Sequence, residues 1–359
     1  MRSKYKLGDL ITQRREKNNE IGLPISGVSK DGLIPPKQID ADTSIYNIFY
    51  RKDFIFNPAR MELNSIAFND IYDKAICSSL YEVFYVHRTD LIIPEYLALI
   101  VKQNWFTRYC EFLGQGSARE YCRFVNISEI EIVFPNIEIQ KKIVYCYNVI
   151  NKRITIKQRI NDNLADTAQA IFKHSFIDAT SEGLPSTWSE VPLFQVADLG
   201  AGGDRPDVFS DVRTPECPIP IFSNGIENEG LYGYTDKSRV QAESVTISAR
   251  GTVGYVFLRQ EPFVPIVRLI YITPKDDRVT AKYLFFALRY AEMNSTGTSQ
   301  QQITVPDFKN TPIIVPNADA LAEFMCKITP LFDEMNCIKG EVDKLKTLQS
   351  VMLQTISSH

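Results

Sequence analysis

The amino-acid sequence repeats at about half of its 359 residues. An apolar run that ends in proline occupies residues 132–135, and a matching run occupies residues 313–316, 181 positions later. The segments that follow share one apolar pattern at this spacing, so that Ile143 corresponds to Phe324 and Leu164 to Leu345. Self-similarity at a fixed period indicates a repeated structural unit. The chain is therefore predicted to have two related halves, each a variable segment followed by a helical one.

The segment after each proline predicts a long helix, because its apolar residues recur at heptad spacing. In the second copy this spacing gives two rows: Leu321, Ile328, Met335, Val342, Gln349 and Ile356, and Phe324, Leu331, Ile338, Leu345 and Met352. Gln349 is the only polar member of either row. Pro330 lies within the helical pattern and is expected to kink or restart the helix.

The first copy of the helix has a polar middle, because Lys157 and Asn161 occupy its apolar rows. A polar pair inside a helical seam can fix register and partner at a cost in stability. The shared register predicts that the two helices pack on each other, with the following residues buried: Leu164, Ile171, Leu345 and Met352. The alternative is that each is an ordinary amphipathic helix packed on its own domain.

The variable segments combine strand and helix patterns. Strands are predicted at residues 53–56, 80–86, 130–134, 244–248, 254–258 and 269–272, helices at 94–112 and 280–293, and strand-like pieces at 124–127 and 302–305. This mixture predicts an α+β protein with two mixed α/β domains in tandem. The predicted divisions are a domain at 1–136, a helix at 137–180, a domain at 181–316 and a helix at 317–359.

Composition and charge exclude several classes of protein. The chain is 44% hydrophobic and 23% charged, which is ordinary for a globular protein. A net charge of -3 excludes a histone-like DNA binder but permits a local basic surface. The charged N-terminus has no apolar signal core, and the most apolar stretch, residues 91–101, is too short to span a bilayer. We therefore expect a cytoplasmic protein without a membrane partner.

Motifs for catalysis and metal binding are absent from the sequence. It has no phosphate-binding loop, no nucleophile elbow and no Asn/Asp-Pro-Pro-aromatic signature of DNA aminomethyltransferases. The seven cysteines lack CxxC spacing and there are only three histidines, so no metal site is predicted and the cysteines are expected to be buried free thiols. No catalytic residue is assigned, which favours a binding protein.

Polar side chains in predicted loops are candidates for contact with DNA bases. Arginine pairs with guanine in the major groove, and glutamine or asparagine pairs with adenine. The candidates are Arg14, Arg15, Lys30, Arg60, Gln115, Ser117 and Arg119 in the first half, and Arg205, Asn224, Arg250, Gln300 and Gln301 in the second. The alternative for each candidate is a solvated surface loop.

The sequence resembles the specificity subunits of type I restriction-modification systems. The resemblance is carried by LGDLI at 7–11, PAR at 58–60, CSSLYEVF at 77–84, GQGSAR at 114–119, ISEI at 127–130, FPNIEIQKKI at 134–143 and ISARGTVG at 247–254. These motifs are degenerate, and their order, spacing and duplication over essentially the whole chain supply the specificity. The family often has a Glu-Gln pair after the first helix begins, which Glu138 and Gln140 approximate and the second copy lacks.

This resemblance implies a function and a set of partners. The two variable domains would be target recognition domains, each reading half of a bipartite, asymmetric site in double-stranded DNA. The two helices would form an antiparallel coiled coil that holds these domains apart, giving the chain an internal pseudo-two-fold repeat. Two methylation subunits that carry S-adenosylmethionine would dock on the chain and flip the target adenine, and restriction or translocase subunits would join them. This chain would hold no cofactor and catalyse nothing.

Two other functions remain open from the sequence. One is a coiled-coil adaptor that binds proteins and no DNA. The other is a DNA methyltransferase with its own catalytic site, which the missing motifs disfavour.

Overall fold

A computed structural model of the chain describes residues 3–36, 38–39, 42–114, 121–249, 254–294 and 304–357. The chain divides into two compact units, of which the first is Met1–Arg159 with Lys339–His359 and the second is Ile160–Ile338. Both division points fall inside long helices, so each unit contains part of each helix.

The first unit is built on a four-stranded antiparallel sheet. Its strands are β1 Ser3–Lys6, β2 Ile11–Arg14, β3 Gly27–Ser29, β4 Gly32–Ile34, β5 Asn47–Tyr50, β6 Phe54–Phe56, β7 Ile66–Phe68, β8 Lys74–Cys77, β9 Glu82–Val86 and β10 Glu131–Phe134. The helices that begin in it are α1 Pro94–Val101, α2 Asn104–Gly114, α3 Phe124–Ser128 and α4 Ile137–Phe172. The main sheet has the order β2-β9-β6-β7, while β1 pairs with β10, β3 with β4 and β5 with β8. Its core contains stacked rings, with the centroids of Phe54 and Phe84 4.9 Å apart.

The second unit repeats this framework. Its strands are β11 Ser189–Pro192, β12 Ala197–Ala201, β13 Ile219–Phe222, β14 Leu231–Thr235, β15 Ser244–Ile247, β16 Val256–Arg259, β17 Val264–Pro265, β18 Ile270–Pro274 and β19 Pro312–Val315. Its helices are α5 Ala281–Asn294, α6 Val305–Lys309 and the beginning of α7 Ala318–Ser357. The main sheet has the order β12-β18-β15-β16, β11 pairs with β19, and a separate sheet has the order β14-β13-β17.

Single-turn elements complete both units. They are 3₁₀ helices at Leu7–Asp9, Thr43–Ile45, Pro58–Leu63, Asp178–Thr180, Leu193–Gln195 and Glu227–Gly230, and a π-helix at Lys173–Ile177 that follows α4 directly.

Equivalent backbone hydrogen bonds confirm the internal repeat. The amide of Leu7 donates to the carbonyl of Ile130 at 2.8 Å, and the amide of Leu193 donates to the carbonyl of Thr311 at 2.9 Å. The two donors, Leu7 and Leu193, are 186 positions apart, and the two acceptors, Ile130 and Thr311, are 181 positions apart. The variable segment of the second half is therefore five residues shorter. The predicted tandem of mixed domains is therefore confirmed.

The two long helices pair in opposite directions. In the first unit the side-chain Nε2 of Gln349 donates to Oδ1 of Asn151, and Lys157 forms an ion pair with Glu341. The residue number rises along α4 while it falls along α7, which defines an antiparallel pair. The polar seam position Gln349 thus has a partner across the pair, as does Lys157.

The predicted helical seam is confirmed as buried for half of the ten apolar residues in the two rows of the second helix, and the other five are only half-buried. Five members of the rows are buried: Leu321, Phe324, Ile328, Ile338 and Val342. The four residues expected to be buried, Leu164, Ile171, Leu345 and Met352, are only half-buried. In α4 the buried residues are Gln140, Tyr147, Ile150, Ile154, Ala168 and Phe172.

Pro330 does not restart the second helix. It lies on an exposed position of α7, which is continuous over its 40 residues. The predicted restart is wrong because proline removes one amide donor, and that loss is tolerated here within a helix held by a buried row on its other face.

One prediction in the variable segments was also wrong. Residues 124–127 form helix α3 rather than a strand, because the first-turn amides find side-chain acceptors. The amide of Phe124 donates to the Glu82 carboxylate at 2.6 Å, and the amide of Arg123 donates to the side chain of Asn126 at 2.9 Å. In the second half, the piece predicted as a strand at 302–305 ends where helix α6 begins, and residues 301–303 lie outside the described residues.

The helix predicted at 94–112 is two helices, α1 and α2. The first is buried on all sides from Tyr96 to Val101, whereas the second buries one face that contains Phe106 and Cys110. The second helix has one apolar face, and such a helix lies on the surface of the core.

All seven cysteines are free thiols, as predicted, but the prediction that they are buried is wrong for three of them. Cys77, Cys110, Cys122 and Cys217 are buried, while Cys146, Cys326 and Cys337 are exposed on the long helices.

Candidate nucleic-acid interface

Several loops of the second unit meet at one edge of its main sheet. Strands β12 and β15 both pair antiparallel with β18, so they run in the same direction and end at the same edge. The loop after β12 reaches the turn before β18, where the amide of Val267 donates to the carbonyl of Gly203 at 2.9 Å. The end of β13 joins them, since the amide of Ile266 donates to the carbonyl of Phe222 at 2.9 Å. We call residues 202–205, 223–225 and 266–268 the second-unit loop cluster.

The side-chain amide of Asn224 links its own loop to the 266–268 segment of this cluster and to the residues after β15. Its Nδ2 donates to the carbonyl of Val267 at 2.7 Å. Its Oδ1 accepts from the amide of Ala249, which follows β15, also at 2.7 Å. The side chain that the sequence predicted as a base contact is therefore bonded to the protein backbone on both of its polar atoms.

Two consecutive residues of the cluster have left-handed backbones. Val267 has a φ of 52° and Arg268 a φ of 60°. This region is disfavoured for residues with a β-carbon, and a β-branched residue there is a genuine outlier. The turn also needs a glycine opposite it, because a β-carbon on Gly202 would lie 2.6 Å from the backbone nitrogen of Ile266.

Arginine side chains surround the cluster. Arg205 is exposed, with its guanidinium carbon 4.8 Å from the ring centroid of Phe209. The guanidinium of Arg239 lies at Gly203, where an added β-carbon would be 2.9 Å from Nη1. Arg268 is exposed at the turn itself. The acidic Asp204 is also exposed on the first loop, so the cluster is basic without being uniformly so.

A buried arginine bonds to the neighbouring 3₁₀ turn, Glu227–Gly230. Arg259 is 3% exposed, and its guanidinium carbon lies 3.6 Å from the ring centroid of Phe222. It donates to the hydroxyl of Thr246 at 2.9 Å and to the carbonyl of Glu229 at 2.6 Å. Burial lowers the pKa of Arg259 to about 10, and the carboxylate of Glu229 opposes that shift. This residue holds the 3₁₀ turn Glu227–Gly230 in place.

The first unit has the equivalent sheet edge. Strands β2 and β6 both pair antiparallel with β9, so they end at one edge, as β12 and β15 do. Arg15 follows β2 and is exposed, with its Nε donating to Gln13 at 2.8 Å. Arg60 follows β6 and is exposed in the 3₁₀ helix Pro58–Leu63. Lys30 is exposed at the tip of the separate β3–β4 hairpin.

Arg14, the last residue of β2, has a structural environment. Its guanidinium carbon lies 4.7 Å from the ring centroids of both Tyr50 and Tyr85. It donates to the two carboxylate oxygens of Asp53, which is 2% exposed, at 2.7 and 3.1 Å. The pKa of Arg14 is raised overall. Burial alone would lower this pKa, but the hydrogen bond and the negative charge of Asp53 have the larger, opposite effect. One edge of this predicted base contact is therefore occupied within the protein.

The remaining predicted contacts lie outside the described residues. These are Gln115, Ser117, Arg119, Arg250, Gln300 and Gln301. The structure brings Arg205 and Asn224 together in one cluster, and it adds Arg239 and Arg268, which the sequence analysis missed. Arg268 could not be predicted as a loop residue, because it follows an apolar run and nothing in its sequence neighbours predicts a turn.

Neither a metal centre nor a membrane span occurs in the part of the chain that the structure describes. No three histidine, cysteine, aspartate or glutamate side chains are grouped there so as to hold an ion. None of the helices in these ranges combines the length and apolar character needed to cross a bilayer.

Comparison with known proteins identifies the family. The model of the type I restriction modification DNA specificity domain matches twice, at residues 11–165 and 185–342. The chain belongs to this family, and the two matches coincide with the two halves of the repeat.

Known specificity subunits share modest sequence identity with the chain. Putative type I specificity subunit S.MpnORF507P of Mycoplasma pneumoniae is 28% identical over 210 residues, which cover 57% of this chain and 56% of that relative. The match thus spans little more than half of that relative's length. The HindI specificity subunit of Haemophilus influenzae is 20% identical over 373 residues, which cover 79% of this chain and 81% of that subunit.

Solved structures show the same fold. The S subunit of a type I system from M. genitalium superposes with a TM-score of 0.64 at 14% identity, over 99% of this chain and 96% of that one. A chain from a structure of the type I R-M system that addresses complex assembly and conformational transition gives a TM-score of 0.50 at 18% identity, over 99% and 97%.

Proposed function

We propose that this chain is the sequence-specific DNA-recognition subunit of a type I restriction-modification complex. The observation that carries the proposal is the duplication: one chain contains two copies of a DNA specificity domain, each with its own sheet and its own loops at one edge. The loops differ between the copies while the sheets match. Two different reading surfaces on one chain fit a bipartite, asymmetric site in double-stranded DNA.

The long helices are proposed to set the spacing of the two half-sites. They contain 36 and 40 residues, which correspond to about 54 and 60 Å at about 1.5 Å per residue. Half-site spacing on DNA follows the geometry of the protein that binds it. The continuous helices make a spacer of fixed length.

Exposed apolar residues on the helices are the proposed docking surface for two methylation subunits. In the first unit α4 exposes Tyr145, Val149 and Ile156, and α7 exposes Leu348 and Val351. Apolar residues repeated along an exposed helix face mark a protein interaction surface. The methylation subunits would hold S-adenosylmethionine and flip the target adenine, and restriction or translocase subunits would join this core. The chain itself would then carry out no catalysis and hold no cofactor.

The test is to map methylated adenines in cells with and without the gene for this chain. The expected result is a bipartite motif that disappears when the chain is removed. Exchange of residues 1–136 for a related domain should change one half-site and leave the other intact.

Three results would contradict the proposal. A chain that binds no duplex, even with methylation subunits, would be an adaptor. Transfer of methyl groups to DNA by the purified chain alone would make it an enzyme. Change of both half-sites in the exchange experiment would show that the two domains do not read independently.

A further inference from the structure

The left-handed turn in the second-unit loop cluster is a strained feature on an exposed surface. Val267 and Arg268 adopt φ values of 52° and 60° in succession, and Val267 is β-branched. Strain of this kind persists only where the surroundings hold it in place, and it concentrates at functional sites. The turn therefore calls for a functional explanation.

Three hydrogen bonds from two other loops hold the turn. The amides of Val267 and Arg268 donate to the carbonyls of Gly203 and Gly202 at 2.9 and 3.0 Å. Asn224 donates from the other side to the carbonyl of Val267 at 2.7 Å. Both polar atoms of the Asn224 side chain are engaged with backbone, so this side chain fixes the turn and leaves no free edge for a base.

The turn displays two side chains to solvent. Val267 is 52% exposed, although it follows a buried isoleucine. Arg268 is exposed, and no ion pair or hydrogen bond joins its guanidinium to another residue of the described ranges. Arg239 lies at Gly203, whose carbonyl bonds to the turn, and Arg205 is exposed on the same loop as Gly203. Both add positive charge to the cluster, which favours approach of a phosphate backbone.

We propose that the Val267–Arg268 turn reads base edges in the half-site of the second domain. Arg268 would donate to O6 and N7 of a guanine in the major groove, which an arginine fork matches with two hydrogen bonds. Val267 would pack on an adjacent base edge, and a thymine methyl group is the apolar surface available there. Asn224 is a positioning residue that acts through Arg268. This inference rests on the proposed function and names part of its reading surface.

The first experiment replaces Arg268 with alanine in the full chain assembled with methylation subunits. Binding is measured on duplexes with the wild-type site and with single base changes in either half-site. We expect discrimination at one guanine of one half-site to fall by about 5- to 150-fold, with the other half-site unchanged. Arg278→Ala is the matched control, because Arg278 is an exposed arginine beyond the other end of β18, bonded to Asp276 at 2.8 Å. It should leave both half-sites unchanged.

The second experiment tests the role of Asn224. Asn224→Asp keeps an acceptor for the amide of Ala249 but removes the donor to the carbonyl of Val267. We expect it to lower discrimination at the same guanine as Arg268→Ala, and to add no further loss in the Arg268→Ala background. Circular dichroism of each variant establishes that it is folded before binding is compared.

The outcomes separate this inference from the function on which it rests. An Arg268→Ala complex that binds every sequence more weakly by the same factor would show a phosphate contact and overturn the base-reading role. An Asn224→Asp effect at a different base pair would show that Asn224 touches DNA itself. A wild-type complex with no sequence preference would instead refute the proposed function, and this inference would fail with it.

Discussion

Gln140 fastens the first long helix to its domain, and its replacement by leucine tests how that attachment works. The side chain is fully buried in the first turn of α4. Its Oε1 accepts from the amide of Ile93 at 3.0 Å, and its Nε2 donates to the carbonyls of Leu91 and Pro135, both at 2.8 Å. The corresponding residue 181 positions later is Leu321, which is buried in an apolar core.

The expected loss of stability follows from these three bonds. Each contributes about 1 kcal/mol net, so their removal costs about 3 kcal/mol. Leucine has a similar size and returns about 1 kcal/mol through burial of apolar surface. We therefore expect Gln140→Leu to lower the free energy of unfolding of the first unit by about 2 kcal/mol, even though leucine is the natural residue at the equivalent position of the second unit.

The assay combines urea denaturation with amide hydrogen exchange, because a chain with two units need not unfold in one step. Exchange at the amide of Ile93 reports the lost bond directly. Gln158→Leu is the control, since Gln158 is exposed on the same helix and should change stability by less than about 0.5 kcal/mol. A loss below about 0.5 kcal/mol in Gln140→Leu, with Ile93 still protected, would refute this account of the attachment.

Three further predictions follow from the structure. Val267→Asn should raise the free energy of unfolding by about 1 kcal/mol and the melting temperature by about 2–4 °C, because asparagine tolerates the left-handed region better than valine. An unchanged melting curve would show that the turn is not strained. Lys157→Glu should lower the melting temperature and Glu341→Lys in the same chain should restore it. The hydrogen bond from Lys157 lowers the pKa of Glu341, so the contribution of this pair should be present at neutral pH and lost as the pH falls through a folded-state pKa below 4.5. Insertion of four helix-forming residues after both Arg159 and Ile338 should lengthen each helix by about 6 Å. Methylome maps should then show a gap between the half-sites that is longer by about two base pairs, with the half-site sequences unchanged. An active complex with an unaltered gap would contradict the proposed spacer.

The sequence predicted the parts of the fold that depend on periodicity. The two long helices begin at Ile137 and Ala318, as their repeated patterns indicated, because an apolar row over ten turns averages out local exceptions. Short elements were less predictable. Helix α3 reads as a strand from its β-branched and aromatic residues, and only the distant Glu82 and the neighbouring Asn126 make it a helix.

The sequence predicted which kinds of residue lie in the loops of the candidate interface, but not what each side chain does there. Arg205 and Asn224 were predicted as candidates because glycine-rich and Asn-Gly turns mark exposed loops. The sequence contains no sign that the amide of Asn224 bonds to Val267 and Ala249, which are 43 and 25 residues away. Arg268 was missed for a related reason: its left-handed backbone is imposed by two other loops, and the strand predicted at 269–272 directly after it gave no sign of a turn.

The two units use different side chains to support the same framework. In the first, Arg14 is held by Asp53 between two tyrosine rings, while in the second, Arg259 is buried against Phe222 and bonds to a loop carbonyl. These arginines lie on non-equivalent strands, β2 and β16, whereas the sheets around them have matching order. A framework that tolerates unrelated supports can change the loops of one unit without disturbing the sheet that carries them. Because those loops are the proposed reading surfaces, each half-site can change without any change in the other.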